Sequence, residues 1–197
     1  MPKILIAFLS FFIFFKGITM VHAEEEKHDV AILAGGCFWC MEPPFDKLEG
    51  VISTVVGYTG GHTKNPTYEG TSSGETGHYE AIKVTYDPSK VSFKEILDVF
   101  WRNVDPFDAT GQFCDKGSQY RAAIFYLTKE QQETALASKE DIETLLEREV
   151  VTEVIPASDF YDAEEYHKEY YLKNPIRYKF YRYNCGRDKR LTEIFKK

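Results

Sequence analysis

Apolar and polar positions along the 197-residue chain fall into short blocks with two different periods. Val30-Ala31-Ile32-Leu33 is a continuous apolar run that stops at Gly35-Gly36, which reads as a short buried strand. The residues that follow, up to Gly50, are compatible with a helix. Val51 to Tyr58 is rich in β-branched side chains and predicts a strand. Thr59 to Gly77 holds five glycines, Pro66 and no apolar period. A polar loop of that length inside a compact domain usually carries function. Gly77 then leads into a strand whose two-residue alternation puts Glu80, Ile82 and Val84 on one face. A carboxylate thus stands among aliphatic neighbours.

Ser92 and Glu95 form a capping box, after which Phe93, Ile96, Leu97, Phe100 and Trp101 recur at helical spacing. That aromatic stripe is core. Asp105 to Gln119 is irregular, and Arg121 to Leu127 reads as a buried strand. Thr128 and Gln131 cap a helix to about Arg148, with Leu136, Ile142, Leu145 and Leu146 facing inward. Val150 to Pro156 is a last strand, and Phe160 to Leu172 a helix that Asn174-Pro175 stops. Arg177 to Lys197 is a basic, aromatic tail without a clear period. The order β-α-β-β-α-β-α-β, then a helix and an irregular C-terminal tail, predicts an α+β sandwich with a ferredoxin-like split βαβ core.

The first residues predict targeting rather than fold. Lys3 precedes an apolar stretch from Ile4 to Phe15, too short to span a bilayer comfortably, and Val21-His22-Ala23 offers a small-residue cleavage site. Residues 1–23 are therefore expected to be a signal peptide, and 24–197 a single catalytic domain, exported and periplasmic. A hydrophobic fraction of 43% suits one folded domain. Cleavage removes Lys3 and Lys16 and no acid, taking the net charge from −7 to −9. That balance argues against nucleic acid or an anionic membrane as partner.

Chemistry concentrates in Gly35-Gly36-Cys37-Phe38-Trp39-Cys40-Met41-Glu42. A strand, two glycines and a helix start place Cys37 where unpaired N–H groups favour a thiolate, so a lowered pKa is expected. Four cysteines in an exported chain also permit disulfides. Three other readings start from them: a thioredoxin-type dithiol oxidoreductase on Cys37 and Cys40, a zinc module on Cys37, Cys40, Cys114 and Cys185, and a disulfide-stapled binding protein. The zinc reading lacks a second Cys-x-x-Cys. The dithiol reading lacks a cis-proline loop.

The longer string resembles the active-site signature of the A-type peptide methionine sulfoxide reductases. The resemblance continues through Asn65-Pro66-Thr67-Tyr68-Glu69, Gly77-His78-Tyr79-Glu80 and Phe113-Cys114-Asp115-Lys116-Gly117-Ser118-Gln119-Tyr120-Arg121. It implies a fold of the α+β kind and reduction of methionine-S-sulfoxide, in oxidised proteins or peptides, back to methionine without a cofactor. Reducing a sulfoxide needs a soft nucleophile at sulfur, a proton source at oxygen and an apolar seat for the S-methyl. By resemblance Cys37 is the nucleophile, Glu80 the proton donor, and Tyr68 and Tyr120 hydrogen-bond the oxygen. Asp115 orients substrate or water, while Phe38 and Trp39 line the methyl pocket. Glu80 then needs a raised pKa, which burial supplies. His62, His78 and His167 are read as structural. The sulfenic acid left on Cys37 must condense with a thiol, and a thioredoxin-like dithiol then recycles the enzyme. Cys185 is expected to be the main resolving thiol, bridging to Cys37, with Cys40 secondary and Cys114 buried and inert. A monomer is expected.

Overall fold

The computed structural model describes residues 28–196; the expected signal segment lies outside them. A six-stranded sheet, in the order β7-β6-β1-β3-β2-β8, organises the molecule. β1 (Asp29–Gly35) runs antiparallel to both β3 (Tyr79–Tyr86) and β6 (Ala122–Tyr126). β2 (Val51–Thr59) pairs with the other side of β3, and β7 (Glu153–Pro156) lies parallel to β6. The fold is thus mixed α/β around a mostly antiparallel sheet.

β1 is apolar throughout because both its faces are covered. Ala31 and Leu33 join the main core with Ile82, Val84, Phe100 and Trp101. Ile32 and Ala34 pack with Tyr79, Ala81 and Phe125 on the reverse face. The main core lies under α1 (Phe38–Asp46), α3 (Phe93–Trp101) and α4 (Lys129–Leu146). The Ser92 box forms as expected, with both reciprocal hydrogen bonds present.

α4 departs from the expected pattern. Leu136 and Leu145 are exposed, and Gln131, Ala135 and Ser138 face in. The bulk comes from α3 instead: Trp101 is buried against α4 and donates its indole N–H to Ser138 Oγ at 3.1 Å. Small residues on α4 make room for it.

The expected helix over 160–172 is also replaced. β8 (Tyr161–Asp162) adds an edge strand to β2, and Ala163 N–H bonds Val56 O. Glu169 has φ +51°, so only the short α5 (Tyr170–Lys173) is helical. The tail, conversely, is ordered as α6 (Pro175–Asn184) and α7 (Arg187–Phe195). Its helical period is hard to read because most of its inward residues are Tyr178, Tyr181, Arg182 and Arg187, with Leu191 a buried aliphatic among them. The long polar loop contains a single short helix, α2 (Tyr68–Ser72), and the irregular 105–119 segment a two-stranded ribbon, β4 (Gly111–Gln112) with β5 (Asp115–Lys116).

Candidate active site

The turn from β1 into α1 needs both of its glycines. A Cβ on Gly35 would meet Met41 Sδ at 2.5 Å. Gly36 has φ +81°, and a Cβ there would strike Gln112 at 2.5 Å. This tight approach sets Cys37 as the N-cap residue of α1, buried against the sheet. The next amide, Phe38 N–H, has no helical acceptor and donates to Glu80 Oε2 at 3.1 Å. Strand pairing therefore delivers the β3 carboxyl to the start of the cysteine helix.

Around this pair lies a cavity of about 80 Å³ lined by Cys37, Phe38, Trp39, Tyr68, Glu80, Asp115, Tyr120 and Tyr181. Seven of these eight are site residues expected from the sequence. Tyr68 opens α2, whose N-cap Thr67 accepts from Gly70 N–H; its own N–H donates to Glu164 Oε1 at 2.8 Å. Tyr120 ends a one-turn 3-10 helix (Ser118–Tyr120), and Asp115 comes from the β5 ribbon. Trp39 stacks on Tyr170 at 3.7 Å and donates its indole N–H to His167 Nδ1 at 2.9 Å. His167 packs against the pocket wall, touching Phe38, Trp39 and Tyr68.

Tyr181 is the site residue that sequence reasoning missed. Its hydroxyl donates to Asp115 and lies within hydrogen-bonding reach of Cys37. It belongs to the aperiodic tail, so nothing local marked it. The tail also carries Arg187, whose guanidinium lies behind the Gly35-Gly36 turn.

Burial governs the charges. Desolvation pushes Glu80 up to about 8, with the Phe38 N–H pulling the other way. Asp115 is also raised by burial, opposed by the Tyr181 hydrogen bond. Tyr68 and Tyr120 are raised too, chiefly by burial and then by the nearby Glu80 charge, and so stay hydroxyl donors.

The expected lowering at Cys37 is reversed. Burial, followed by the hydrogen bond to Cys40, drives its thiol well up. Cys40, one turn along and also buried, is lowered to about 7, first by the hydrogen bond from Cys37 and then, against burial, by Arg187 and Arg182.

The other two cysteines also differ from expectation. Cys114 is exposed rather than buried, and it is bonded to Cys185 in a disulfide. The bridge present is thus not one from Cys185 to Cys37, and Cys37 and Cys40 are both free thiols. Cys185 Sγ lies 3.8 Å from Asp115 Oδ2, just outside the cavity.

The sequence matches the family model described as peptide methionine sulfoxide reductase over residues 29–197. A peptide methionine sulfoxide reductase MsrA of Bacillus velezensis is 48% identical over 171 residues, 86% of this chain and 97% of that protein. A peptide methionine sulfoxide reductase MsrA/MsrB of Vibrio cholerae is 46% identical over 179 residues, 90% of this chain and 47% of that protein. Among solved structures, reduced Mxr1 from Saccharomyces cerevisiae superposes with a TM-score of 0.73 at 32% identity, covering 78% of this chain and 89% of its own. Methionine sulfoxide reductase A of Corynebacterium diphtheriae gives a TM-score of 0.69 at 32% identity, covering 78% of each chain. With this coverage, the chain belongs to the A-type peptide methionine sulfoxide reductases, which reduce methionine-S-sulfoxide in proteins and peptides.

Proposed function

We propose that this cavity is where the sulfoxide is reduced, with Cys37 as nucleophile and Glu80 as proton donor. The observation that carries the reading is the meeting of Cys37, Glu80, Tyr68 and Tyr120 around one small buried cavity. With its carboxyl raised to about 8, Glu80 enters the reaction protonated at neutral pH. It gives that proton to the sulfoxide oxygen, which the two tyrosine hydroxyls also bond. The Cys37 sulfur takes the oxygen: the methionine S–O bond breaks, a Cys37 S–O bond forms and methionine leaves. The proton of the Cys37 thiol replaces the one that Glu80 gave, so this step neither gains nor loses protons. Phe38 and Trp39 seat the S-methyl, and Asp115, through Tyr181, orients the bound groups.

We place Cys40 before Cys185 in the recycling. Cys40 is in hydrogen-bond contact with Cys37, whereas Cys185 is joined to Cys114. Attack by Cys40 on the Cys37 sulfenic acid gives a Cys37–Cys40 disulfide and water. A thioredoxin-like dithiol reduces the Cys114–Cys185 bridge, and the freed Cys185 thiolate then attacks the Cys37–Cys40 disulfide. Cys114 displaces that mixed disulfide, re-forming the outer bridge and leaving Cys37 and Cys40 as thiols. Among the structural neighbours is Mxr1 in complex with Trx2, a likeness of fold that suits a partner of this kind.

A ferredoxin-like split βαβ core suits the order and antiparallel pairing of β6-β1-β3-β2. Residues 1–23 remain our reading of a cleavable export signal ahead of one catalytic domain, 24–197, and an exposed disulfide suits the periplasm. The test is direct. Incubated with dithiothreitol and a racemic methionine-sulfoxide peptide, the protein should consume one diastereomer, and Cys37→Ser should consume neither. Full turnover by Cys37→Ser would refute the assignment.

A further inference from the structure

Arg187 is 1% exposed, yet every acceptor it contacts is neutral: Gly35 O at 2.9 Å, Met41 Sδ at 3.0 Å and Asn103 O at 2.6 Å. Its guanidinium also stacks on the Phe113 ring at 4.5 Å, and its Nε has no hydrogen-bond partner. Among the described residues no carboxylate forms an ion pair with it, although Arg182 and Arg190 on the same tail have Asp188 and Asp105. A buried cation without a counter-ion is strongly unfavourable, so a fold that retains one has an anion nearby in its working state. The contacts with Gly35 and Met41 place this charge across the turn that holds the two cysteines.

We infer that Arg187 is a positioning residue for the resolving step: its unneutralised guanidinium holds Cys40 as the thiolate that attacks oxidised Cys37. This rests on the proposed reaction and adds what drives its second half. The Cys40 sulfur gives two electrons to the Cys37 sulfur, the new S–S bond forms, the Cys37 S–O bond breaks, and hydroxide leaves to take up a proton as water. An ionised Cys40 is the stronger nucleophile for this attack.

The groups that bear on Cys40 come from several elements. Cys37 hydrogen-bonds it from the helix N-terminus, and Arg187 and Arg182 lower it from the tail. Asp115 on β5 raises it, and Glu80 on β3 and Tyr178 on α6 also lie in its field. Arg182 is already engaged by Asp188 and reaches the cysteine helix through Cys40 O at 3.5 Å. Arg187 makes no such ion pair, and its field falls on Cys40 and on the Asp115 carboxyl, both of which it lowers.

The experiment measures Cys40 ionisation directly. In a Cys37→Ser background, the pH dependence of iodoacetamide reaction at Cys40 should have its midpoint near neutral. Adding Arg187→Met should move that midpoint up by a pH unit or more, and Arg187→Lys should restore most of it. In the full enzyme, Arg187→Met should slow conversion of the Cys37 sulfenic acid to the Cys37–Cys40 disulfide about tenfold at pH 7, with the rate recovering as pH rises. A midpoint that is the same with Met as with Arg overturns the inference. So does a midpoint shifted equally by Lys and Met, which marks a packing role. Should Arg187→Met not fold, the Lys variant and the parent midpoint decide the matter, a parent midpoint near 9 being fatal. The alkylation readout does not involve sulfoxide, so an error in the nucleophile assignment would show separately, as methionine formed by Cys37→Ser.

Discussion

Replacing Glu80 with Gln should make the protein a poorer enzyme and a more stable fold, and the two effects have one cause. The carboxyl is 3% exposed and burial raises it from 4.5 to about 8. The folded state therefore holds a proton that the unfolded chain releases. Stability from this group is greatest below pH 4.5 and is lost as pH rises through about 8. At about 1.4 kcal/mol per pH unit, the loss reaches about 3 kcal/mol by pH 7 and approaches 5 kcal/mol above pH 8. Glu80→Gln keeps an oxygen to accept the Phe38 N–H and has no charge to bury. Urea unfolding of both proteins at pH 4.5 and 7, with the disulfide intact, should show the gap widening by about 3 kcal/mol in favour of Glu80→Gln. That corresponds to a midpoint shift of about 1–2 M urea. Turnover should drop about 10²–10⁴-fold, the usual worth of general-acid help. The wild-type rate should also fall as pH passes about 8, a limb the variant lacks. A stability gap that is the same at both pH values would refute the burial argument. A variant that keeps the wild-type rate and its alkaline limb would put the proton donor elsewhere.

The Cys114–Cys185 bridge closes a separation of 71 residues, so Cys114→Ser should cost about 2–4 kcal/mol. Wild type treated with reductant should melt close to the untreated variant, and an unchanged melting temperature would show that the bridge does not constrain the tail. Trp39→Phe keeps a ring over Tyr170 but removes the N–H that bonds His167, a loss of about 1 kcal/mol. The expected kinetic sign is a raised KM for methionine-sulfoxide peptides with a smaller change in kcat. A variant with unaltered KM would remove Trp39 from the methyl pocket.

Much of this protein could be read from local pattern. The apolar run before Gly35-Gly36 dictates a buried strand and a sharp turn, and that turn puts Cys37 at a helix start whatever the rest of the chain does. The Ser92 box and the Phe93–Trp101 stripe likewise dictate α3, because capping and helical periodicity act within a few residues. Even the placement of Glu80 on an aliphatic face follows from alternation alone. Tertiary structure decided what local pattern does not encode: the solvation and partners of each group. Cys37 sits at a favourable helix end, yet burial drives its thiol up, while Cys40 is lowered first by the hydrogen bond from Cys37 and then by arginines more than 140 residues away. Cys114 looks inert beside Asp115 until the folded tail brings Cys185 to it. Tyr181 and Arg187 belong to helices whose inward faces are mostly tyrosine and arginine, Leu191 apart, so no clear hydrophobic period marks them. A residue's neighbours along the chain select its element; the residues that desolvate or neutralise it come from elsewhere, and only packing brings them together.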